Sequence, residues 1–326
     1  MAPAILLKDV SKAFGQTRAV QDMTLSIPRG GLYGFIGPNG AGKTTTIRMI
    51  MSILFPDSGE LSVLGRATAL EAKDRIGYLP EERGVYRKMR VSAFLTFMGR
   101  LKGVSDAELS KRIPRSLERV GLPGAERKRC EELSKGMLQK VQIVAAILHE
   151  PDLLILDEPF SGLDPVSTRL LRQVILDEHR RGATILFSTH VMPQAEEICE
   201  HVVMIHQGRK VLDDPLASIR RRYDPRTILF DPYEEEADLS PIRALAEVMH
   251  VTRADGSCQI GLVEGADPAA AIRRIAAAVT PARIELARLR LEDVFLQIVA
   301  DGTATGDEER KLRAQLTEAD AAGMTA

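Results

Sequence analysis

One stretch decides how this chain folds: Gly37-Pro38-Asn39-Gly40-Ala41-Gly42-Lys43-Thr44. It fits the pattern G-x-x-x-x-G-K-[ST], in which the backbone N–H groups of a glycine-rich loop surround a phosphate group. The apolar residues 32–36 before it indicate a short buried strand, and the residues from Thr45 onward open a helix. Strand, glycine loop and helix are the order that this pattern requires. The sequence therefore predicts a site for a nucleoside triphosphate.

The composition is that of a globular protein with room for two domains. The chain has 326 residues, of which 44% are hydrophobic and 27% charged, and its formal net charge is −1. This charge gives no general electrostatic reason to bind nucleic acid, and we predict no nucleic-acid partner. There is no run of 18 apolar residues, so we expect no membrane span. The three cysteines lie far apart without metal-binding spacing, which suits free thiols in a reducing compartment.

Apolar runs alternate with helical patterns in the first two thirds of the chain. Runs typical of central strands in a parallel sheet recur at residues 153–156, 184–187 and 201–205. Between the glycine loop and these runs, periodicity predicts a helical insertion with helices over residues 91–102, 106–120 and 135–149. From Arg83 to Arg129 there are 13 Arg or Lys against 4 Asp or Glu. That surplus fits either a solvated helical face or a surface that meets anionic lipid or an acidic partner.

A second, smaller domain is predicted after the basic stretch 220–222 and the dipeptide 224–225. Its predicted elements are strand 227–230, helix 241–248, strands 250–253 and 258–263, helix 268–279, strand 283–288 and helix 292–299. The turn 254–257 is expected to join the middle strands as a hairpin. The β-α-β-β-α-β order is that of a ferredoxin-like unit. Residues 234–236 are expected in a solvated loop. The polar end of the chain is expected to be a flexible tail in which 307–316 could form a short helix.

Two acidic residues, Asp157 and Glu158, end the apolar run 153–156. In a parallel sheet, ligands collect at the carboxyl ends of the strands. We expect Asp157 to hold Mg²⁺ opposite Thr44, and Glu158 to accept a proton from an attacking water. His190 follows the run 184–187. It is expected to face the γ-phosphate because its strand should lie beside the strand that carries Asp157.

Four further motifs make the chain resemble the ATP-binding cassette (ABC) proteins. Leu133-Ser134-Lys135-Gly136-Met137 resembles the LSGGQ signature, and Ser161-Gly162-Leu163-Asp164 resembles the D-loop. Phe14 matches the aromatic residue that stacks on adenine, and residues 76–81 match the Q-loop region. All elements occur in the family's order between about residues 5 and 214, so the resemblance is specific.

The resemblance implies a fold and a domain organisation. The fold class is α/β, a P-loop NTPase of the ABC cassette type with an inserted helical subdomain, followed by the small α+β ferredoxin-like domain. The cassette is predicted to span residues 1–220, with its helical subdomain at about 83–150. The accessory domain is predicted at 225–300 and the tail at 301–326.

The resemblance also implies the chemistry, with ATP and Mg²⁺ as the bound species and hydrolysis to ADP and phosphate. Each ATP is expected to lie between one subunit's phosphate loop and the signature of a second cassette, either a copy of this chain or a paralogue. The implied nucleotide-binding residues are Phe14, Gly37, Pro38, Asn39, Gly40, Ala41, Gly42, Lys43, Thr44, Thr45, Ser134, Gly136 and Asp164. The implied metal ligands are Thr44, Glu81 and Asp157, and the implied catalytic residues are Glu158 and His190.

Three residues depart from the family pattern. Glu81 stands at the position of the Q-loop glutamine, Lys135 at the first signature glycine and Met137 at the signature glutamine. A carboxylate at position 81 can still ligate a metal ion, although it adds negative charge beside phosphate. Because the phosphate loop, both strand-end carboxylates and the histidine are intact, we expect an active ATPase.

The variants at residues 79–86 and 133–137 resemble one subgroup, the ATP-binding subunits of bacterial ABC-2-type exporters, including sodium- and drug-extrusion systems. This resemblance implies an integral-membrane permease as a separate partner and a peripheral location at the cytoplasmic face of the cell membrane. The alternatives are a soluble ABC ATPase that acts on ribosomes or DNA, an importer ATPase and an inactive cassette. The first normally carries two cassettes or long coiled coils, which this sequence lacks.

Overall fold

The computed structural model describes residues 2–82, 84–223, 226–234, 236–254, 257–287 and 290–302. The chain divides into two compact units. The first runs up to Ala217 and resumes at Phe295, and the second comprises Ser218–Val294. The dipeptide 224–225, residue 235, the hairpin turn at 255–256, and the predicted tail beyond 302 with its helix 307–316 lie outside the described residues.

The first unit is built on two sheets. Its strands are β1 (Ile5–Phe14), β2 (Thr17–Ile27), β3 (Leu32–Ile36), β4 (Ser58–Val63), β5 (Ile76–Leu79), β6 (Leu153–Asp157), β7 (Thr184–Thr189), β8 (His201–His206) and β9 (Arg209–Pro215). Among them, β2–β1–β4 form an antiparallel sheet, and β5–β6–β7–β3–β8–β9 form a second sheet that is parallel except for the pair β8–β9. In the second sheet, β7 lies between β6 and β3, so the strand before His190 neighbours the strand that ends at Asp157, as predicted.

The helices up to residue 222 are α1 (Lys43–Ile50), α2 (Val91–Leu101), α3 (Asp106–Arg119), α4 (Lys135–Ile147), α5 (Pro165–Arg180), α6 (Met192–Ile198) and α7 (Leu216–Arg222). Short 3₁₀ helices lie at Ala69–Arg75, Ala125–Arg127 and Cys130–Glu132. The three predicted insertion helices are confirmed as α2, α3 and α4. Serine side chains cap two of them, since Ser105 accepts the Glu108 N–H and Ser134 accepts the Met137 N–H.

The core of the first unit follows from the apolar runs. Every residue of β3, β6 and β7 is buried, as expected for central strands of a parallel sheet that are covered on both faces. The polar residues at the carboxyl ends of β6 and β7 are therefore exceptions to an apolar interior. None of the helices in the described part of the chain has the length and apolar character that a membrane crossing needs.

The second unit contains β10 (Thr227–Pro232), α8 (Ser240–Arg243), β11 (Val248–Ala254), β12 (Ser257–Leu262), α9 (Pro268–Ala278) and β13 (Pro281–Leu286). Helix α10 (Leu291–Gly302) begins in it and ends in the first unit. The strands form an antiparallel sheet in the order β11–β12–β10–β13, and along the chain the elements follow the β-α-β-β-α-β order that the sequence predicted. Phe230, Ile260 and Ile275 are fully buried in the core of this unit.

The predicted helix 241–248 is wrong over its second half. Helix α8 is a single turn that ends at Arg243, and β11 already begins at Val248. Val248 pairs with Leu262, and the buried Val251 pairs with Ile260 of β12. Residues 244–247 form turns, although Ala, Leu, Ala and Glu are good helix formers, and of the predicted helix only Val248 joins the pairing with β12.

Candidate nucleotide-binding and hydrolysis site

The phosphate loop leads directly into α1, whose first residue is Lys43. The Lys43 ammonium is buried and donates hydrogen bonds to the carbonyls of Gly37 at 2.7 Å and Pro38 at 3.2 Å. A pocket of about 490 Å³ opens beside the loop, and its lining includes Gly40, Ala41, Gly42, Lys43, Thr44 and Thr45. The loop and the start of α1 thus face a cavity large enough for the phosphates of a nucleotide.

Two glycines of the loop are required by the close approach of other backbone segments. Gly42 has φ +105°, and a Cβ atom there would lie 2.4 Å from the carbonyl oxygen of Ala19. A Cβ atom on Gly37 would lie 2.2 Å from the carbonyl oxygen of Ile205. Strands β2 and β8 therefore press against the loop and hold its backbone in the shape that exposes N–H groups to an anion.

Parallel pairing of β6 with β7 places Asp157 opposite Ser188. The fully buried Ser188 hydroxyl donates to Asp157 Oδ1 at 2.5 Å and accepts the N–H of Glu158 at 3.0 Å. One hydroxyl thus positions both acidic residues. Ser188 was assigned no role from the sequence. The signal that could have found it is its position in the run 184–189, which ends beside the carboxyl end of the strand that carries Asp157.

Oxygen atoms of three predicted metal ligands converge. Thr44 Oγ1 lies 3.4 Å from Asp157 Oδ1 and 3.5 Å from Glu81 Oε2. Asp157 Oδ2 is buried and has no hydrogen-bond partner within the described residues. Burial raises the pKa of Asp157, and hydrogen bonds from Ser188 and Thr44 oppose that rise. A hydroxyl and two carboxylates, one with an unpaired buried oxygen, are a donor set that fits Mg²⁺.

In the part of the chain that is described, no group of three or more His, Cys, Asp or Glu side chains is arranged to hold a metal ion. The fit at Thr44 therefore rests on a mixed hydroxyl and carboxylate set. Mg²⁺ sites in nucleotide-binding proteins are commonly of this kind, with phosphate oxygens and waters as the remaining ligands.

Glu158 lies at the centre of the catalytic candidates. Its Oε1 atom is 2.9 Å from His190 Nδ1 and 3.7 Å from Lys43 Nζ. Glu158 is buried, and its φ of +49° is unusual for a residue with a side chain. Burial lowers the pKa of Lys43, and the negative charges of Glu158, Asp157 and Glu81 oppose that effect. The structure thus joins Lys43, Glu158 and His190, which the sequence analysis predicted from separate motifs.

The signature and D-loop residues cap helices instead. Ser134 caps α4, and Asp164 caps α5 by accepting the Ser167 N–H at 2.9 Å and the Ser167 hydroxyl at 2.6 Å. Across the described residues, no hydrogen bond or ion pair joins Ser134, Gly136 or Asp164 to the phosphate loop. The structure therefore does not bring these predicted site residues together with the phosphate loop of the same chain.

Helix α4 nevertheless has a direct link to the catalytic segment. The buried Gln139 side-chain amide donates to the carbonyl of Pro159 at 2.5 Å. Pro159 follows Glu158 directly, so this hydrogen bond links α4 to the backbone beside the carboxylate.

Phe14 ends β1, and half of its side chain is exposed. It pairs with Thr17, which lines the pocket beside the phosphate loop. The lining also includes Gln16, Arg18 and Gln207, to which the sequence analysis gave no role because they belong to none of its motifs.

A phosphate loop between β3 and α1, together with carboxylates at the end of a neighbouring parallel strand, defines the class of P-loop NTPases. The comparisons specify the family. The sequence profile of the ABC transporter family matches residues 20–161. A solved structure described as an ATP-binding subunit of an ABC transporter superposes with a TM-score of 0.63 and 35% identity, over 68% of this chain and 93% of that one.

Three relatives illustrate the family. YhaQ of Bacillus subtilis, an uncharacterized ABC transporter ATP-binding protein, is 43% identical over 224 residues, which are 69% of this chain and 75% of that protein. An uncharacterized ABC transporter ATP-binding protein of Alkalihalophilus pseudofirmus is 38% identical over 269 residues, or 82% of this chain and 99% of that one. The Nod factor export ATP-binding protein I of Cupriavidus metallidurans is 35% identical over 216 residues, or 65% and 71%.

The chain belongs to the ATP-binding subunits of ABC transporters. The family resemblance and the fold class drawn from the sequence are confirmed. As a member of this family the chain binds ATP and is an ATPase, as predicted.

Proposed function

We propose that this chain is the ATP-hydrolysing subunit of an exporter and drives a separate integral-membrane permease through ATP-dependent dimerisation. The observation that carries the proposal is the contact of Glu158 with both His190 and Lys43 beside the phosphate loop, which is an arrangement for hydrolysis and not only for binding. Similarity to the Nod factor export ATP-binding protein supports the direction of transport. The location that follows is the cytoplasmic face of the cell membrane.

Within this proposal, Thr44, Asp157 and Glu81 hold Mg²⁺. The Thr44 hydroxyl oxygen lies within 3.5 Å of a carboxylate oxygen of Asp157 and of one of Glu81. The second oxygen of Asp157, Oδ2, remains available for a ligand. Bound Mg²⁺ supplies positive charge that offsets the negative charge of the phosphates. The Ser188 hydroxyl keeps the Asp157 carboxylate oriented toward Thr44.

Glu158 is the proposed general base. Its carboxylate accepts a proton from the attacking water, while the His190 ring at 2.9 Å holds the carboxylate in place. A positioned base contributes typically about 10²- to 10⁴-fold to the rate. The Lys43 ammonium, which bonds the carbonyls of Gly37 and Pro38, is placed to exchange these neutral acceptors for phosphate oxygens. Phe14 offers its exposed ring to the base of ATP.

The second half of each site is proposed to come from another cassette, either a second copy of this chain or a paralogue. Ser134 heads the 13-residue helix α4, and the Gly136 N–H lies in its first turn, where backbone N–H groups attract an anion. In a head-to-tail dimer these groups, with Asp164, would face the γ-phosphate held by the opposite subunit. ATP then joins the two cassettes, and its hydrolysis separates them.

The test is affinity capture with the variant Glu158→Gln. The full chain, carrying a tag and this substitution, is incubated with ATP in gently solubilised native membranes, and co-purifying proteins are identified. We expect a polytopic membrane protein in near-equal amount and, for the purified variant, an ATP-dependent dimer by size-exclusion chromatography. The matched control is the double variant Glu158→Gln, Lys43→Met. Loss of the Lys43 ammonium weakens binding of the ATP phosphates, so this variant should remain monomeric with ATP.

Two outcomes contradict the proposal in different ways. Capture of ribosomes or nucleic acid without a membrane partner would exclude the exporter role and leave the ATPase chemistry intact. A Glu158→Gln variant that binds ATP but stays monomeric would exclude ATP-driven dimerisation.

A further inference from the structure

The antiparallel ladder between β1 and β4 stops short of the end of β1. Its last paired residues are Ser11 and Ser58, so the final residues of β1 extend beyond their β4 neighbour. Beyond this point, Asp57, which precedes β4, forms the hydrogen bonds to β1. Its N–H donates to the Ser11 carbonyl at 2.9 Å, and its Oδ2 atom accepts the Ala13 N–H at 2.8 Å. The Asp57 side chain thus continues the ladder by one hydrogen bond.

The second oxygen of the same carboxylate binds a lysine. Asp57 Oδ1 accepts from Lys12 Nζ at 2.6 Å. Lys12 Nζ in turn lies 5.8 Å from the centroid of the Phe14 ring, within the range of a cation–π contact. Asp57 and Lys12 together hold the backbone just before Phe14 and one side of its ring.

We propose that Asp57 and Lys12 are positioning residues for the nucleobase. They hold Phe14 so that the base of ATP meets a stacking surface that is already in place. The inference rests on the proposed function, in which Phe14 stacks on the base. The physical gain is preorganisation, because an aromatic side chain that is already oriented loses less conformational entropy when the ligand binds.

The two members of the pair differ in exposure. Half of the Asp57 side chain is exposed (51%), whereas the Lys12 side chain is largely buried (17%), so solvent at Asp57 screens part of the attraction between the two charges and reduces its contribution to stability. A second pair, Lys8 with Glu60 at 3.6 Å, joins β1 to β4 and is more exposed, 57% and 82%. It lies on the part of the β1–β4 ladder that is regularly paired, so it is a control for the loss of a charged pair beside β1 away from Phe14.

The experiment measures the dissociation constants of ATP and of inorganic tripolyphosphate by calorimetry on the full chain. The variants are Asp57→Ala, Lys12→Met, Phe14→Ala and Asp57→Ala combined with Phe14→Ala, and the control is Glu60→Ala. Phe14→Ala should weaken ATP binding about 5- to 160-fold, the range for loss of one base–aromatic stack. Asp57→Ala and Lys12→Met should weaken ATP about 3- to 10-fold, a part of that range.

The pattern across ligands and variants decides the outcome. We expect tripolyphosphate affinity to stay at the wild-type value, Glu60→Ala to leave both ligands unaffected, and Asp57→Ala to add nothing in the Phe14→Ala background. Equal losses for ATP and tripolyphosphate, full additivity with Phe14→Ala, or no loss in a folded Asp57→Ala protein would each overturn the inference. If Phe14→Ala itself leaves ATP affinity unchanged, the stacking role in the proposed function fails and the positioning role fails with it.

Discussion

Replacement of Ser188 by alanine tests whether one buried hydroxyl organises both acidic residues. The Ser188 Oγ atom is fully buried and makes two hydrogen bonds, to Asp157 at 2.5 Å and from the Glu158 N–H at 3.0 Å. Its removal leaves that N–H unpaired in the interior, which costs about 1–3 kcal/mol of unfolding free energy. It also removes one of the two hydrogen bonds that oppose the burial-induced rise in the pKa of Asp157, so that pKa should rise further.

The effect on catalysis should exceed the effect on folding. Without the hydroxyl, the backbone at Glu158 loses its anchor, and a displacement of the general base by about 1 Å is worth on the order of 10²-fold in rate. We expect kcat of Ser188→Ala at saturating ATP to fall about 10- to 100-fold, with a smaller change in KM. Ser188→Thr keeps a hydroxyl and should recover part of the loss.

The assays are urea unfolding and steady-state ATP hydrolysis, with Ser116→Ala as the control because Ser116 is a buried serine of α3 outside the site. The control should retain wild-type kcat. If Ser188→Ala unfolds like the wild type and keeps its kcat, the hydroxyl does not organise the site and the reasoning is refuted.

Two further predictions concern the loop and the response to pH. Gly42→Ala places a Cβ atom 2.4 Å from the carbonyl oxygen of Ala19, so calorimetry should show ATP binding that is at least about 10-fold weaker. The control is Gly182→Ala, which has a similar φ of +103° and open space around it and should bind ATP like the wild type. Equal behaviour of the two variants would contradict the steric argument. Burial lowers the pKa of His149 from 6.5 to about 4, so below pH 6.5 the unfolded chain takes up a proton that the folded chain does not. The free energy of unfolding should therefore fall as the pH drops from 6.5 toward 4, by at most about 3 kcal/mol from this residue. In urea unfolding, the free energy of His149→Gln should depend less on pH than that of the wild type. Parallel pH profiles of the two proteins would contradict the assignment.

The local parts of the site were readable from the sequence. A phosphate loop needs its glycines and its lysine within eight residues, and the insertion helices need an apolar face that repeats within three or four residues. The same holds for the carboxylates that end β6, since a run of apolar residues followed by acidic residues marks the edge of a buried strand. These features depend on neighbours in the chain, so pattern and spacing are sufficient to predict them.

Other features depended on contacts between distant segments. Glu158, His190 and Lys43 follow three different strands, β6, β7 and β3, and the Glu158 carboxylate contacts the other two only because β7 lies between β6 and β3. The role of Ser188 follows from the parallel register of β6 and β7, and the Asp57 carboxylate reaches Ala13 across 44 positions of sequence.

The same division explains the error in the second unit. Residues 244–247 are good helix formers, so no local signal excludes a helix there, but in the structure they form turns that lead into β11, which pairs with β12 from Val248 onward. The sequence by itself determined the class of site and the residue types that serve it, because these are local. Only the tertiary structure decided which side chains hold them in position, because hydrogen-bond partners across a sheet are set by strand order and register.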